Sequence, residues 1–180
     1  MAKKVLPLNK GRMVVTITRK ELDKYLKIFA DKTLLSLPGN RFAYFMEKNF
    51  DILEKEVQNH QKFNSEQMKV RGEISEKYLE AEKSVISEFC KKDEAGNPIL
   101  SNGNYSIPNE KFDEFIKTKK ALMKKQKLTA EDNRIEAYNN AMDEYMSQEI
   151  TIEFRKISED QIPVNINGNQ RIMIREFIME

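Results

Sequence analysis

The sequence has no tryptophan, one cysteine and one histidine. A single cysteine, Cys90, excludes an internal disulfide framework and points to a reducing compartment. A single histidine, His60, excludes the paired-histidine metal motifs and leaves a catalytic triad without an orienting partner in view. There is no Cys-x-x-Cys, and no Gly-rich loop closing on Lys-Ser/Thr that would cradle a phosphate. No apolar run approaches the roughly 20 residues that span a bilayer, and no apolar signal segment follows the basic start MAKKVLPLNKGR. Neither sign of charge dominates: 31 Lys and Arg against 29 Asp and Glu leave a net +2. A balance of that kind suits a salt-laced helical surface better than a strongly basic nucleic-acid binder. These absences lead us to expect a soluble protein with no membrane anchor, no metal and no cofactor.

What the sequence does contain is helical pattern around one pivot, Lys92 to Pro108. Two turn signals lie there, Ala95-Gly96-Asn97-Pro98 and Ser101-Asn102-Gly103-Asn104, with Ile99-Leu100 and Tyr105 to Ile107 beside them. Asn-Gly between short apolar pieces predicts a β-hairpin over 92–108. Helical arms are expected on either side, about 41–91 and 109–149, folding back antiparallel. Met13 to Thr18 is rich in β-branched residues and predicts a strand. Ile150, Ile152 and Phe154 alternate with polar residues and predict another. The two strands are expected to share a small sheet at the base, formed by 12–40 and 150–180. The fold class is therefore mainly α with minor β: one elongated domain over 1–180, an antiparallel helical hairpin with a β-hairpin at its tip.

Residues 1–11 read as an irregular arm, with Pro7 and Gly11 as breakers. Thr18 and Glu21 make a capping-box pattern, and Leu22, Tyr25, Leu26 and Phe29 define the face of the helix that follows. The run Ser36 to Asn40 is expected to stop that helix. The outgoing arm has coiled-coil-like seams at Phe42, Met46, Phe50, Leu53 and Val57, and again at Ile74, Tyr78, Ala81, Val85 and Phe89. Between them the heptad passes through His60, Asn64, Gln67 and Arg71, while Phe63, Met68 and Val70 lie off it. Gly72 adds a helix penalty of about 1 kcal/mol. Either the helix breaks or kinks near 60–72, or this stretch meets something other than a plain helical partner. On the return arm, Phe112, Phe115, Ile116, Leu122 and Met123 share a face. Lys119 falls on it and would have to extend out to water. Thr129 and Asp132 suggest a fresh cap and a break near Leu128. Ile135, Tyr138, Met142, Tyr145 and Met146 continue the buried face. Beyond Pro163 and Asn167-Gly168, the residues Ile172, Ile174, Phe177 and Ile178 predict a short final helix.

Residues 91–126, KKDEAGNPILSNGNYSIPNEKFDEFIKTKKALMKKQ, and 149–163, EITIEFRKISEDQIP, with Phe177-Ile178 near the end, resemble a family of small proteins encoded by tailed phages of low-GC Gram-positive bacteria. In that family long helices flank an Asp/Glu-x-Gly-Asn-Pro stretch, followed by a strand and an isoleucine-rich tail. The resemblance covers the last half of the chain. It implies a phage origin, hence the host cytoplasm or the virion, and carries over no catalytic residue.

The candidate functional residues are few. Phe63, Met68 and Val70 could form a patch for a partner protein, phage or host; the competing reading is a kink that buries them. Lys117, Lys120, Lys124 and Lys127 step by three and four along one helical stripe and could follow a phosphate backbone, aided by Lys3, Lys4, Lys10, Arg12, Arg19 and Lys20. A solvated stripe facing the glutamates of the other arm is the plainer account, since no aromatic residues interleave for base stacking. His60 reads as solvent-facing and Cys90 as a packing residue. Glu54, Glu56, Glu73, Glu76, Glu80 and Glu82 read as a solvated face. Asp93, Glu94, Asn97, Asn102 and Asn104 fit turn formation better than a calcium loop, whose D-x-D-x-D-G spacing they lack. The expected function is a non-enzymatic interaction protein, a virion or tail assembly component or an inhibitor of a host or defence protein. Nucleic-acid binding is the alternative. Met and Phe on several helix faces also allow a homo-oligomer.

Overall fold

A computed structural model describes residues 11–94, 96–101 and 104–179. The protein is mainly α with minor β, as the sequence pattern predicts. Its elements are β1 (Arg12–Thr18), α1 (Leu22–Phe29), α2 (Lys32–Leu35), α3 (Asn40–Arg71), α4 (Glu76–Phe89), β2 (Leu100–Ser101), β3 (Asn104–Tyr105), α5 (Phe112–Lys125), α6 (Thr129–Ser147), β4 (Glu149–Arg155) and α7 (Gly168–Ile174). They form two compact units, Met1–Ser65 with Met142–Glu180, and Glu66–Ala141. The division falls inside α3 and α6.

In the first unit β1 and β4 pair antiparallel, Arg12 opposite Arg155 through Thr18 opposite Glu149. Alternation puts Met13, Val15 and Ile17 with Ile152 and Phe154 on one face, where α1 and the start of α3 cover them. The centre of this core is aromatic. Phe154 stacks on Tyr25 and Phe29, with ring centroids 5.0 and 5.7 Å apart, and Phe177 meets Phe29 and Phe154 edge-on. Capping sets the helix starts. The Thr18–Glu21 box forms as expected, although the first turn, residues 19–21, is a tight 3₁₀ turn before α1 begins. Asp31 stands outside every sequence pattern above, yet it caps α2: its carboxylate accepts from the amides of Thr33 and Leu34. Those bonds, with that of the Thr33 hydroxyl first among the causes, hold the Asp31 carboxyl below its ordinary pKa. The first helix thus ends at Phe29 rather than at the Ser36–Asn40 run, because Asp31 starts a new one.

Asn49 of α3 is fully buried. Its side chain accepts from the Arg155 amide (2.8 Å) and donates to the Arg155 carbonyl (3.1 Å). It thereby does for the end of β4 what a neighbouring strand would do. The predicted final helix is present as α7, started by an Asn167–Gln170 capping box and followed by a 3₁₀ turn that inserts Phe177 into the core. Ile157 then bridges the last segment: its amide donates to Phe177 and its carbonyl accepts from Met179.

The second unit holds a helical hairpin. Tyr78 and Ala81 of α4 pack with Met123 of α5 and with Leu128, while Val85 and Phe89 pack with Phe115. Early residues of one helix meet late residues of the other, so the two run antiparallel. Leu100 pairs with Tyr105 and Ser101 with Asn104, the predicted tip hairpin. The turn at Asn102-Gly103, and Ala95 of the first turn signal, lie outside the described residues, as do Pro7 and Lys3, Lys4 and Lys10 of the N-terminal arm.

The predicted arms are interrupted. The outgoing helix runs without a break to Arg71 and stops at Gly72, whose φ of 73° favours glycine. Ser75 then caps α4, and its amide and hydroxyl are both held by the Glu131 carboxylate (2.5 and 2.9 Å). The return arm breaks before Leu128, as expected, at Lys127 with φ 63°. The expected Thr129–Asp132 cap is not what starts α6. The Leu128 carbonyl accepts from the amides of Glu131 and Asp132, and the Asp132 side chain is drawn elsewhere.

Candidate functional site

The second unit carries the main polar cluster of the hairpin. Lys119, expected to reach out to water, is instead held inside, its side chain only 18% exposed. Its Nζ donates to Glu82 Oε1 at 2.8 Å and lies 3.2 Å from Asp132 Oδ1. The Tyr78 hydroxyl donates to the same Asp132 oxygen at 2.9 Å. Two carboxylates from two other helices give the ammonium a better place than solvent, which is why it does not extend outward. Burial alone would lower the Lys119 pKa; the hydrogen bond and charge of Glu82 outweigh it and raise the group well above its ordinary value. Burial raises Tyr78 as well, reinforced by Asp132 and Glu82. Both groups are locked in their protonated forms at neutral pH. The cation and the phenol tie α4, α5 and α6 together through Glu82 and Asp132. Glu82 therefore leaves the set of solvated glutamates that its spacing suggests.

His60 also departs from expectation. It is half-buried in the first unit, its ring centroid 5.8 Å from that of Tyr145. Tyr145 is the hub there. Phe63 stacks flat on it at 4.1 Å, and the Arg19 guanidinium lies 4.2 Å above its ring. Arg19 also donates to Gln148 (2.6 Å). Helix pitch brings His60 and Phe63 to one side of α3, so that Tyr145 meets both.

The candidate patch is not one surface. Phe63 is engaged by Tyr145, whereas Met68 and Val70, in the second unit, are exposed. Two residues apart on a helix they point about 200° from each other. The lysine stripe is more coherent. Lys117, Lys120 and Lys124 lie exposed along α5, with Lys120 3.8 Å from Glu136. Lys127 is exposed but sits past the helix end, so the regular stripe has three members rather than four. Of the basic residues near the start, Arg12 pairs with Glu153 and Arg19 is spent on Tyr145. Cys90 is buried, in line with a packing role. Asp93 accepts from the Asn97 amide (2.8 Å), the turn geometry expected of this stretch.

Sequence reasoning misses a third feature. Where the hairpin reverses, Ile99, Leu100, Tyr105 and Phe112 are all large, apolar and open to solvent, at 43, 56, 39 and 50% exposure. Their pattern assigns them to a hairpin and to a buried helix face. Phe112 lies in the first turn of α5, beyond the reach of α4, and touches only Phe115 at a centroid distance of 6.2 Å among the aromatic rings. The signal was available: a two-residue strand pair has no second layer to cover its apolar side chains. No family model, curated protein or solved structure matches the chain. Among the described residues no group of three or more His, Cys, Asp or Glu is placed to hold a metal, and no helix is long and apolar enough to cross a membrane.

Proposed function

We propose that this chain is a non-enzymatic protein-interaction module of the kind tailed phages encode, and that it docks a phage or host protein through the reversal of its second-unit hairpin. The observation that carries the reading is the set Ile99, Leu100, Tyr105 and Phe112, four exposed apolar side chains within 14 residues of one another, two of them paired across the β2–β3 ladder. Such clusters are costly in water and mark contact surfaces. Tyr and Phe are rigid anchors that lose little entropy when a partner covers them. The resemblance of residues 91–126 and 149–163 to a phage family supports a role as an assembly component or as an inhibitor of a host or defence protein, in the host cytoplasm or the virion.

The test is affinity purification from infected cells with wild type beside a Leu100→Ser/Tyr105→Ser/Phe112→Ser variant. Loss of one specific partner, with an unchanged unfolding midpoint, is the expected result. A partner captured equally by both proteins overturns the reading. Binding of nucleic acid is the alternative, favoured by the exposure of Lys117, Lys120 and Lys124 along α5. It demands a mobility shift that weakens steeply as salt rises.

A further inference from the structure

Among the described residues the β1–β4 sheet has two strands, and its two edges are not alike. The Lys156 amide donates to Gly11 and the Arg19 amide to Gln148, at opposite ends of a ladder of constant register. Antiparallel pairing alternates, so the inward-bonded residues of β1 are Met13, Val15 and Ile17. The amides and carbonyls of Arg12, Val14, Thr16 and Thr18 on β1, and of Glu149, Thr151, Glu153 and Arg155 on β4, point away from the partner strand. The double bond of Asn49 to Arg155 agrees with this phase.

On β4, Asn49 closes the Arg155 position, and Glu149, Thr151 and Glu153 remain. A second copy pairing about Thr151 would set Glu149 against Glu153 twice, and like charges directly opposite are destabilising. On β1 the Thr18 amide is closed by the Glu21 carboxylate (2.9 Å), leaving Arg12, Val14 and Thr16. Among the described residues nothing bonds their backbone groups. The strand has no proline, no inward charge and no bulge to guard its edge, and its one charge, Arg12, lies at its end.

We propose that β1 is a homodimerisation edge: two copies pair β1 against β1, antiparallel and centred on Val14. In that register Val14 faces Val14 and each Arg12 faces Thr16 of the other copy, so no like charges meet. Met13 falls opposite Val15, which continues the apolar face. The product is a four-stranded sheet in the order β4–β1–β1–β4, and sheets of three or more strands are far better supported than isolated pairs. This interface is separate from the apolar hairpin end proposed above, and either can fail alone.

The test is light scattering and sedimentation across a concentration series with wild type and three variants. Val14→Pro removes an outward amide that β4 does not use and should leave a folded monomer. Thr16→Lys sets a positive charge against Arg12 of the other copy, and Thr16→Glu sets a negative one there. Both lose the same hydroxyl contact with Thr151. The dimer dissociation constant should be at least about tenfold weaker for Thr16→Lys than for Thr16→Glu. Within one copy the order reverses, since the new ammonium of Thr16→Lys would sit beside Glu153 and Glu149, so a mere stability effect has the opposite sign. A wild-type monomer at every concentration, or a dimer indifferent to the Lys/Glu exchange and to Val14→Pro, overturns the proposal.

Discussion

Lys119→Met is the substitution whose outcome the hairpin geometry fixes most tightly. Methionine keeps the packing of the stem and deletes the ammonium. Two contacts go, the bond to Glu82 at 2.8 Å and the approach to Asp132 at 3.2 Å. A charge-assisted bond contributes about 1.5–3 kcal/mol, and removing one member of a fully buried pair costs about 3–5 kcal/mol. The side chains here are 18, 29 and 9% exposed for Lys119, Glu82 and Asp132, so water screens part of the loss. A cost of about 2–3 kcal/mol follows. The triple variant Lys119→Met/Glu82→Gln/Asp132→Asn removes the stranded carboxylates too, and should recover to within about 1 kcal/mol of wild type. Because the chain has two compact units, the measurement should be local: hydrogen exchange of α4 and α5 amides, supported by urea unfolding. If Lys119→Met leaves exchange unchanged, the network contributes nothing. If the triple variant is no better than the single one, stranded charge is not the reason for the loss.

Three further outcomes follow. Asn49→Leu strands both backbone groups of Arg155 and should cost about 2–4 kcal/mol, while Asn49→Asp, which cannot donate to the Arg155 carbonyl, should rescue little of it; thermal unfolding checks both. Gly72→Ala meets no atom within 4 Å, so its cost of about 1 kcal/mol should come from the positive φ alone, and Gly72→Asn should cost less. Lys119 and Tyr78 both have raised pKa values, so their stabilisation is complete below their unfolded values near pH 10 and is lost as pH rises above them. Urea midpoints should hold steady from neutral pH to about 10 and then fall, with a shallower fall in Tyr78→Phe.

Periodicity and turn chemistry made much of this fold legible. The two strands taken singly, the capping box at Thr18, the α4 seam from Tyr78 to Phe89 and the break before Leu128 follow from local signals. What stayed hidden depends on partners distant in sequence. Nothing near Lys119 announces that Asp132 and Glu82 will close around it, and a lysine on an apolar face reads by default as one that reaches for water. His60 is polar among polar neighbours, yet Tyr145 covers it from 85 positions away. Asn49 reads as an interruption beside a hydrophobic seam, although its role is to satisfy a strand end. Burial at the hairpin reversal is overestimated for a related reason. Helical spacing marks Phe112 as inward, but whether an inward face is covered depends on where the neighbouring helix stops.

The position of Phe177 has a consequence for biosynthesis. This ring completes the aromatic centre of the first unit, whose core otherwise draws on residues 13–57 and 150–178. A nascent chain leaves the ribosome from its N-terminus, so residues 66–141 are free to fold as a contiguous piece while the first unit still waits for its closing segment. Until then Tyr25, Phe29 and Phe154 remain without one of their covers, and this interval is when the polypeptide is most open to chaperones, to proteases and to pairing with a sister molecule. Deleting the stretch from Ile174 onward would make that transient condition permanent.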